Sequence, residues 1–564
     1  MQEFIYFNKN GLDFPLSETI KVTTSLDDIK EDSFLVSNSN DVKAEFYAPE
    51  IDFYIRNSKD SLATKIQNVQ KLYELNALKF DYAEDVSYTQ EVSNRVLLVA
   101  NPEQSKEFIS SVDKDEFDLF KVTPDIIKHI SGHLGNLSVV IDDEGKDIIL
   151  RVDQIVWFDA AEIAFKQSGS FDPIETSLEE VLKTIRANIE NYEYKKFTTY
   201  DSSICQYHER REEICSKCEE VCPTTAIVKV DEQKHLIFSQ IDCHGCGGCI
   251  SVCPSGAVDY APTNREALFE LSKQFKDTIP LVIPEKMALE DLDVDLKENI
   301  LPFTIEGEKF LHEASFLTLL QESGSSLIFY SDFLSKGSKD AIQILNDIYL
   351  KKYNKKAIYI AMDKEELIAA LEEVDFVENS RYTFNQVNIK KRETFAFRLK
   401  HIVGDDDLGI VKTGEHVHYG KIKVNEDNCT LCLSCVGACN VDALVANVHD
   451  NSLRLNASVC TSCGYCIASC PEKDCMTIEE DIIELKPAWF AEETLAKDTL
   501  FGCVECGKEY ATTKSVLKIA AMMAPLFAAD PVKERTLYCC ADCKPKIMMA
   551  SYMENKNNYN KVEG

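Results

Sequence analysis

The stretch CTLCLSCVGAC (429–439) spaces four cysteines as C-x2-C-x2-C-x3-C, and CTSCGYCIASCP (460–471) repeats the run and closes on Pro471. A second copy lies upstream. It holds Cys215, Cys218 and Cys222 with Pro223, then Cys243, Cys246, Cys249 and Cys253 with Pro254. Its opening cysteine, Cys205, stands nine residues before Cys215 instead of two. In both copies twenty residues separate the runs, Cys222 to Cys243 and Cys439 to Cys460. Sixteen of the 22 cysteines therefore fall into two sets of eight.

This spacing is ligand chemistry. Three thiolates on one tight loop hold three irons of a cubane, and the fourth cysteine of each run serves the other cluster. Four [4Fe–4S] clusters are expected. Cluster one takes Cys205, Cys215, Cys218 and Cys253; cluster two takes Cys222, Cys243, Cys246 and Cys249. Cluster three takes Cys429, Cys432, Cys435 and Cys470; cluster four takes Cys439, Cys460, Cys463 and Cys466. Gly245, Gly247 and Gly248 stand between ligands, where a side chain would crowd the cluster and positive φ is expected. Ala226-Ile227 and Ala443-Leu444 occupy one offset after their fourth cysteines, and VKVDEQKHLIFS and VANVHDNSLRLN each read as two strands around a polar turn. The chain is internally repeated.

Disulfides need an oxidising compartment, and even CxxCxxC triplets suit a metal better than crosslinks. Zinc sites use pairs of CxxC instead. Cluster one leaves alternatives open. Without Cys205 it would be a three-iron or labile cluster, and His208 either substitutes or is a solvated residue of the HERREE stretch.

The motifs resemble bacterial 2[4Fe–4S] ferredoxin domains, over residues 200–262 and 420–482. Asn440 stands where that family has a proline after the fourth cysteine, a change for loop packing and not for ligation.

Five of the remaining cysteines lie in a tail, 495–550. Cys503-x2-Cys506 and Cys540-x2-Cys543 are two knuckles thirty-three residues apart, a donor set for one structural Zn²⁺. A fifth iron–sulfur cluster is the alternative, and Cys539 could replace Cys540. The apolar segment SVLKIAAMMAPLFAAD reads as helix up to Pro525, too short to span a bilayer, hence core or docking surface. Cys475 reads as a buried thiol rather than a ligand.

At 564 residues the chain has room for roughly three to five domains. No cysteine precedes Cys205 and none lies between Cys253 and Cys429, so the redox chemistry is confined to blocks. The net charge of −34 disfavours nucleic acid and anionic membranes; it favours a basic partner, or serves solubility alone. MQEFIYFNKNGLDF has no secretory pattern, no twin-arginine signal precedes the domains, and no stretch has transmembrane length. A cytoplasmic setting is expected.

Residues 1–199 read as cysteine-free α/β. RVLLVA (95–100) is a strand, PDIIKHIS (124–131) a short helix, LSVVID with DIILRV a hairpin, and GHLG (132–135) a turn. Ser177 with Glu180 signals a helix start. Residues 263–400 read as a small parallel α/β insert. Its strands are PLVI, LIFY and AIYIA; one helix covers EKFLHEASFLTLLQES to Gly324, and another is capped by Asp363. A ligand crevice is expected at the carboxyl ends of its strands. No GxGxxG or Walker motif supports a nucleotide, although a flavin needs no such motif.

The whole is an α+β multidomain protein: two ferredoxin-like domains, a cysteine-free α/β N-terminal region, an α/β insert and a Cys₄ zinc-knuckle tail. The order, with IKHISGHLG (127–135), CQYHERREEICSKCEEVCPTTAI (205–227), CTLCLSCVGACNVDAL (429–444), FGCVECGKEYAT (501–512) and LYCCADCK (537–544), resembles large bacterial iron–sulfur proteins linked to formate dehydrogenase and related molybdoenzyme systems. The insert resembles the iron–sulfur delta subunit of hydrogenases, but it has no cysteine and takes no cluster from that likeness. What the resemblance implies is an electron carrier to or from a dehydrogenase, with a redox protein such as formate dehydrogenase or another molybdoenzyme as partner. A flavin-containing oxidoreductase and a maturation factor for molybdoenzymes are the alternatives.

Overall fold

Strand Arg95–Val99 is buried on both faces, which explains its unbroken apolar run. Side chains alternate along a strand. Val96 and Leu98 pack on Val181, Leu182 and Ile185 of helix Leu178–Asn188. Leu97 and Val99 pack on Ile130, Leu137 and Val139 of the neighbouring antiparallel sheet. In this computed structural model, which describes residues 4–16, 21–28, 34–39, 42, 44 and 46–562, the chain divides into two units, 1–398 and 399–564.

Among the described residues, the first unit holds three parallel four-stranded sheets. The first orders Lys21–Thr23, Phe4–Phe7, Phe34–Ser37 and Phe46–Tyr47. The second orders Ser170–Phe171, Gln154–Trp157, Arg95–Val99 and Asp118–Val122. Beside it lie antiparallel Ile127–His133, Asn136–Asp143 and Lys146–Val152. Here the expected helix at 124–131 is corrected: Pro124–Ile126 is one 3₁₀ turn and the rest is strand. Ile127 and Ile130 are β-branched and gain a ladder partner, which outweighs local helical patterning. The GHLG turn closes that hairpin with φ of 93° at Gly132 and 81° at Gly135.

The third sheet orders Ile300–Ile305, Ile279–Pro284, Leu327–Tyr330 and Ile358–Ala361. Its edge strand Ile300–Ile305 was not foreseen, because Pro302 masks a strand pattern. The expected long helix begins only at Glu313, where His312 Nδ1 accepts from Ala314 N–H (3.2 Å) and Ser315 N–H (3.3 Å). It ends at Gly324 with φ 74°. Helices Pro49–Asn57 and Leu62–Tyr82 from the N-terminal region pack on this insert: Lys79 Nζ reaches Thr304 Oγ1 at 3.1 Å and Asn57 Nδ2 reaches Leu292 O at 3.2 Å.

Residues 198–260 complete the first unit. Strand Thr198–Tyr200 pairs with Val258–Tyr260, and hairpin Ile227–Val230/His235–Phe238 lies between them in sequence. The second unit repeats this plan with Gly420–Val424 on Met476–Glu480 and hairpin Leu444–Asn447/Ser452–Asn456. Its tail adds hairpin Leu500–Gly502/Glu509–Thr512 and helices Thr513–Phe527, Pro531–Thr536 and Lys544–Val562. The first of these runs two residues past Pro525, a correction to the expected stop. Proline's φ suits a helix, and so near the end its missing N–H costs one bond, to Ala521 O. That helix buries Val516 and Ala520 and leaves Leu517, Met522 and Leu526 exposed. Among the described residues, no helix is long and apolar enough to cross a membrane.

Candidate metal centres

The fold gathers the sixteen cysteines into four sets of neighbours. Cys218 lies among Cys205, Cys215 and Cys253, with Cys249 of the second set also close by. Cys249 lies among Cys243, Cys246 and Cys222, and these four line one cavity with Pro223, Ile227 and Phe238. Cys435 lies among Cys429, Cys432 and Cys470 in a second cavity. Cys466 lies among Cys460, Cys463 and Cys439.

Three of the four loops share one backbone form. Counting from the first cysteine of a triplet, the second and fourth residues on are left-handed: Gly245 and Gly247, Leu431 and Leu433, Ser462 and Gly464. Two leucines accept this conformation at a cost of about 1–2 kcal/mol each. Alternation of this kind turns successive N–H groups inward as an anion-binding nest. The N–H two residues on donates to the first sulfur, from Ser462 to Cys460 Sγ at 3.4 Å and likewise to Cys243 from Gly245 and to Cys429 from Leu431. The glycine expectation needs correcting in one respect. Gly248 opens a helix without positive φ; a Cβ at Gly245 or Gly247 would also meet Phe197 (2.8 Å) or Phe310 (2.4 Å).

Cys205 shares the turn before the loop and the N–H bond to its sulfur despite the nine-residue insertion, and of the two left-handed positions it keeps the second, Glu209 at φ 53°. Asp201 caps a 3₁₀ turn through Ser203 N–H and Cys205 ends that turn; Asn456 does the same through Ser458 N–H ahead of Cys460. Tyr207 N–H donates to Cys205 Sγ at 3.4 Å. The insertion folds back on the hairpin, where Tyr207 Oη donates to Asp231 (2.7 Å) and Glu209 N–H to Lys234 O (3.0 Å). His208 faces the hairpin too, with its Nδ1 3.1 Å from His235 Nδ1. The repeated pattern DSSIC and NASVC was a usable signal for Cys205.

Electrostatics test whether the donors suit iron. Burial pushes Cys215 up to about 12 and Cys243 up to about 11, and neighbouring sulfurs add to both. Burial, then the surrounding sulfurs, raises Cys218 and Cys249 well above an ordinary thiol. Such sets stay thiolate only with cations between them, as iron supplies. The protein adds cations of its own behind the fourth cysteine. Buried Lys391 donates to Cys253 O at 2.9 Å and pairs with Glu313 at 3.2 Å, and Arg392 donates to Pro254 O at 2.8 Å. Lys518, paired with Glu472, stands beside Cys470. Tyr200 is held above its usual phenol range by burial and by Cys205 beside it. Sequence spacing gave no hint of Lys391 or Tyr200, which belong to other elements.

The insert's carboxyl-end crevice is already filled. Lys309 N–H donates to Cys246 O (2.9 Å), Phe310 stacks on Tyr260 (4.7 Å), and Tyr260 Oη donates to Gly245 O (2.8 Å). The loop holding Cys246 and Cys249 therefore lies where a doubly wound sheet would receive a ligand.

The tail brings together Cys503, Cys506, Cys540 and Cys543, all four sulfurs within 4.8 Å of one another. Zn–S bonds of about 2.3 Å imply tetrahedral S···S edges of about 3.8 Å; Cys506 and Cys540 are 3.8 Å apart. Burial raises the Cys503 thiol, but N–H donors from Cys540, Cys506 and Glu505 outweigh it and bring it down to about 6. Cys539 Sγ turns to Arg535 O at 3.3 Å.

Short cysteine loops with inward N–H groups, in two copies, define an iron–sulfur protein. Residues 213–258 and 421–471 each match a 4Fe-4S dicluster domain family. An uncharacterized ferredoxin of Methanocaldococcus jannaschii is 34% identical over 64 residues, 11% of this chain and 94% of that protein. The chain belongs to the ferredoxin family. Its two dicluster domains imply four [4Fe–4S] clusters, an electron-transfer role and a redox partner.

Proposed function

We propose that this chain is a cytoplasmic multi-cluster carrier, taking electrons to or from a dehydrogenase, formate dehydrogenase or another molybdoenzyme being the partner its resemblance suggests. The observation that carries the reading is the gathering of sixteen cysteines into four sets on a duplicated frame. Each cluster, when bound, passes one electron. Cys205, Cys215, Cys218 and Cys253 hold the first, and Cys222, Cys243, Cys246 and Cys249 the second. Cys429, Cys432, Cys435 and Cys470 hold the third, and Cys439, Cys460, Cys463 and Cys466 the fourth. The nest N–H groups and Lys391 stabilise added negative charge and so raise the potential of the centres they face. Cys503, Cys506, Cys540 and Cys543 hold Zn²⁺. The charge of −34 steers the carrier to a basic docking face. A reducing compartment suits so many thiolate ligands.

The test is iron, sulfide, zinc and flavin content after anaerobic purification, with low-temperature EPR of the reduced protein. About sixteen irons and one zinc are expected. Cys205→Ala should remove one cluster's iron and leave the EPR of the second domain unchanged. Full iron in that variant would refute Cys205 as a ligand, and bound flavin would refute the carrier reading.

A further inference from the structure

The cavity of the third set is lined by five cysteines. Cys475 joins Cys429, Cys432, Cys435 and Cys470 there. It is 3% exposed, and its thiol reaches the sulfurs of both Cys429 and Cys470. Its backbone acceptor, Asn425 O, is 4.0 Å away, a weak hold for an S–H group.

The internal repeat supplies a control. Asn425 N–H donates to Cys475 O at 2.7 Å, and the next residue, Met476, pairs with Val424. In the first domain Asp201 N–H donates to Ala257 O at 2.8 Å, and the next residue, Val258, pairs with Tyr200. Cys475 and Ala257 are thus equivalent positions on one frame. The equivalence is hidden in the sequence by one extra residue after Cys470; both copies place a left-handed residue just before the position, Gly256 at φ 73° and Asp474 at φ 53°. One domain carries a methyl group at this position and the other a thiol.

We propose that Cys475 is a reserve ligand of cluster three, able to replace Cys470. This rests on the reading that the third set holds a [4Fe–4S] cluster. Cys470 is the ligand to be relieved because it comes alone from the other run, half-buried, whereas Cys429, Cys432 and Cys435 share one loop. The exchange is redox-neutral. The iron–sulfur bond to Cys470 breaks, one to Cys475 forms, and the Cys475 thiol proton passes to the departing Cys470 sulfur. Cys475 is already buried against the site, so little side-chain entropy remains to be lost.

The experiment uses the full chain, purified anaerobically, as wild type, Cys470→Ala, Cys475→Ala, the double variant and Cys253→Ala. Iron, sulfide and reduced-state EPR are read for each. Cys470→Ala and Cys475→Ala should each keep wild-type iron. The double variant should lose one cluster, about four irons. Cys253→Ala, with Ala257 instead of a thiol at the equivalent position and Ser255 Oγ 3.9 Å from its sulfur, should lose cluster one. Equal iron loss in Cys470→Ala and the double variant overturns the reserve ligand. If the alanine variant does not fold, Cys470→Val carries the same comparison with the pocket filled. A wild type without cluster three's iron sinks the cluster reading itself, which separates the two failures.

Discussion

Gly247 lies against Phe310: a Cβ at Gly247 would stand 2.4 Å from Phe310 Cβ and 2.9 Å from its backbone nitrogen. Its counterpart Gly464 has nearly the same φ, 74° against 78°, and no atom within 4 Å of such a Cβ. The pair separates conformational strain from collision. Gly464→Ala should cost only the left-handed penalty, about 1–2 kcal/mol. Gly247→Ala adds a clash with backbone, which cannot move without unseating the loop of Cys246 and Cys249. Thermal unfolding and iron content should show a mild loss for the first variant and loss of one cluster for the second. Equal effects would mean that Phe310 yields freely.

The contrast shows where sequence reading ran out. Spacing alone revealed the cysteine runs, because ligand geometry is local to a few residues. It revealed strand Arg95–Val99 and the helix stop at Gly324, where burial and backbone conformation are written in residue type. It gave no sign that Phe310, Lys391 and Tyr200 close on the cluster loops, since those contacts depend on tertiary packing across up to about 140 residues of chain. The reading of 124–131 as helix failed for the same reason: the strand partner Asn136–Asp143 decides that segment.

His312 makes part of the first unit's stability depend on pH. Burial, reinforced by Lys391 and Arg265, holds its pKa well below the ordinary histidine value. Glu313, beside it at the helix start, is already paired with Lys391. The folded state needs neutral His312, whose Nδ1 accepts both cap hydrogen bonds. The unfolded chain takes up the proton near pH 6.5. Stability is therefore full above about pH 6.5 and falls as pH drops below it, with a slope of about 1.4 kcal/mol per pH unit for this one group. His312→Asn keeps a good cap and removes the titration. Denaturant unfolding from pH 7.5 down to 5.5 should show a shallower slope in the variant, and matching slopes would rule out His312 as the source.

Zinc should be structural in the tail, and its loss should reach cluster three. The tail's own core is small: Cys503, Cys539, Cys540 and Cys543 with Tyr510 and Ile547. So little buried apolar surface does not hold three helices and a hairpin without a crosslink or metal. The same segment braces the third cysteine set, through Thr512 Oγ1 to Thr430 O (2.8 Å), Lys514 Nζ to Glu426 O (2.6 Å) and the Lys518–Glu472 pair. Cys506→Ser should release the zinc, expose residues 500–550 to protease, and speed iron loss to a chelator from the second domain only. Iron in the first domain should be lost at the wild-type rate. A variant that keeps zinc and protease resistance would show that three sulfurs suffice. Iron instead of zinc in the wild-type tail, read by X-ray absorption, would replace the structural site with a fifth redox centre.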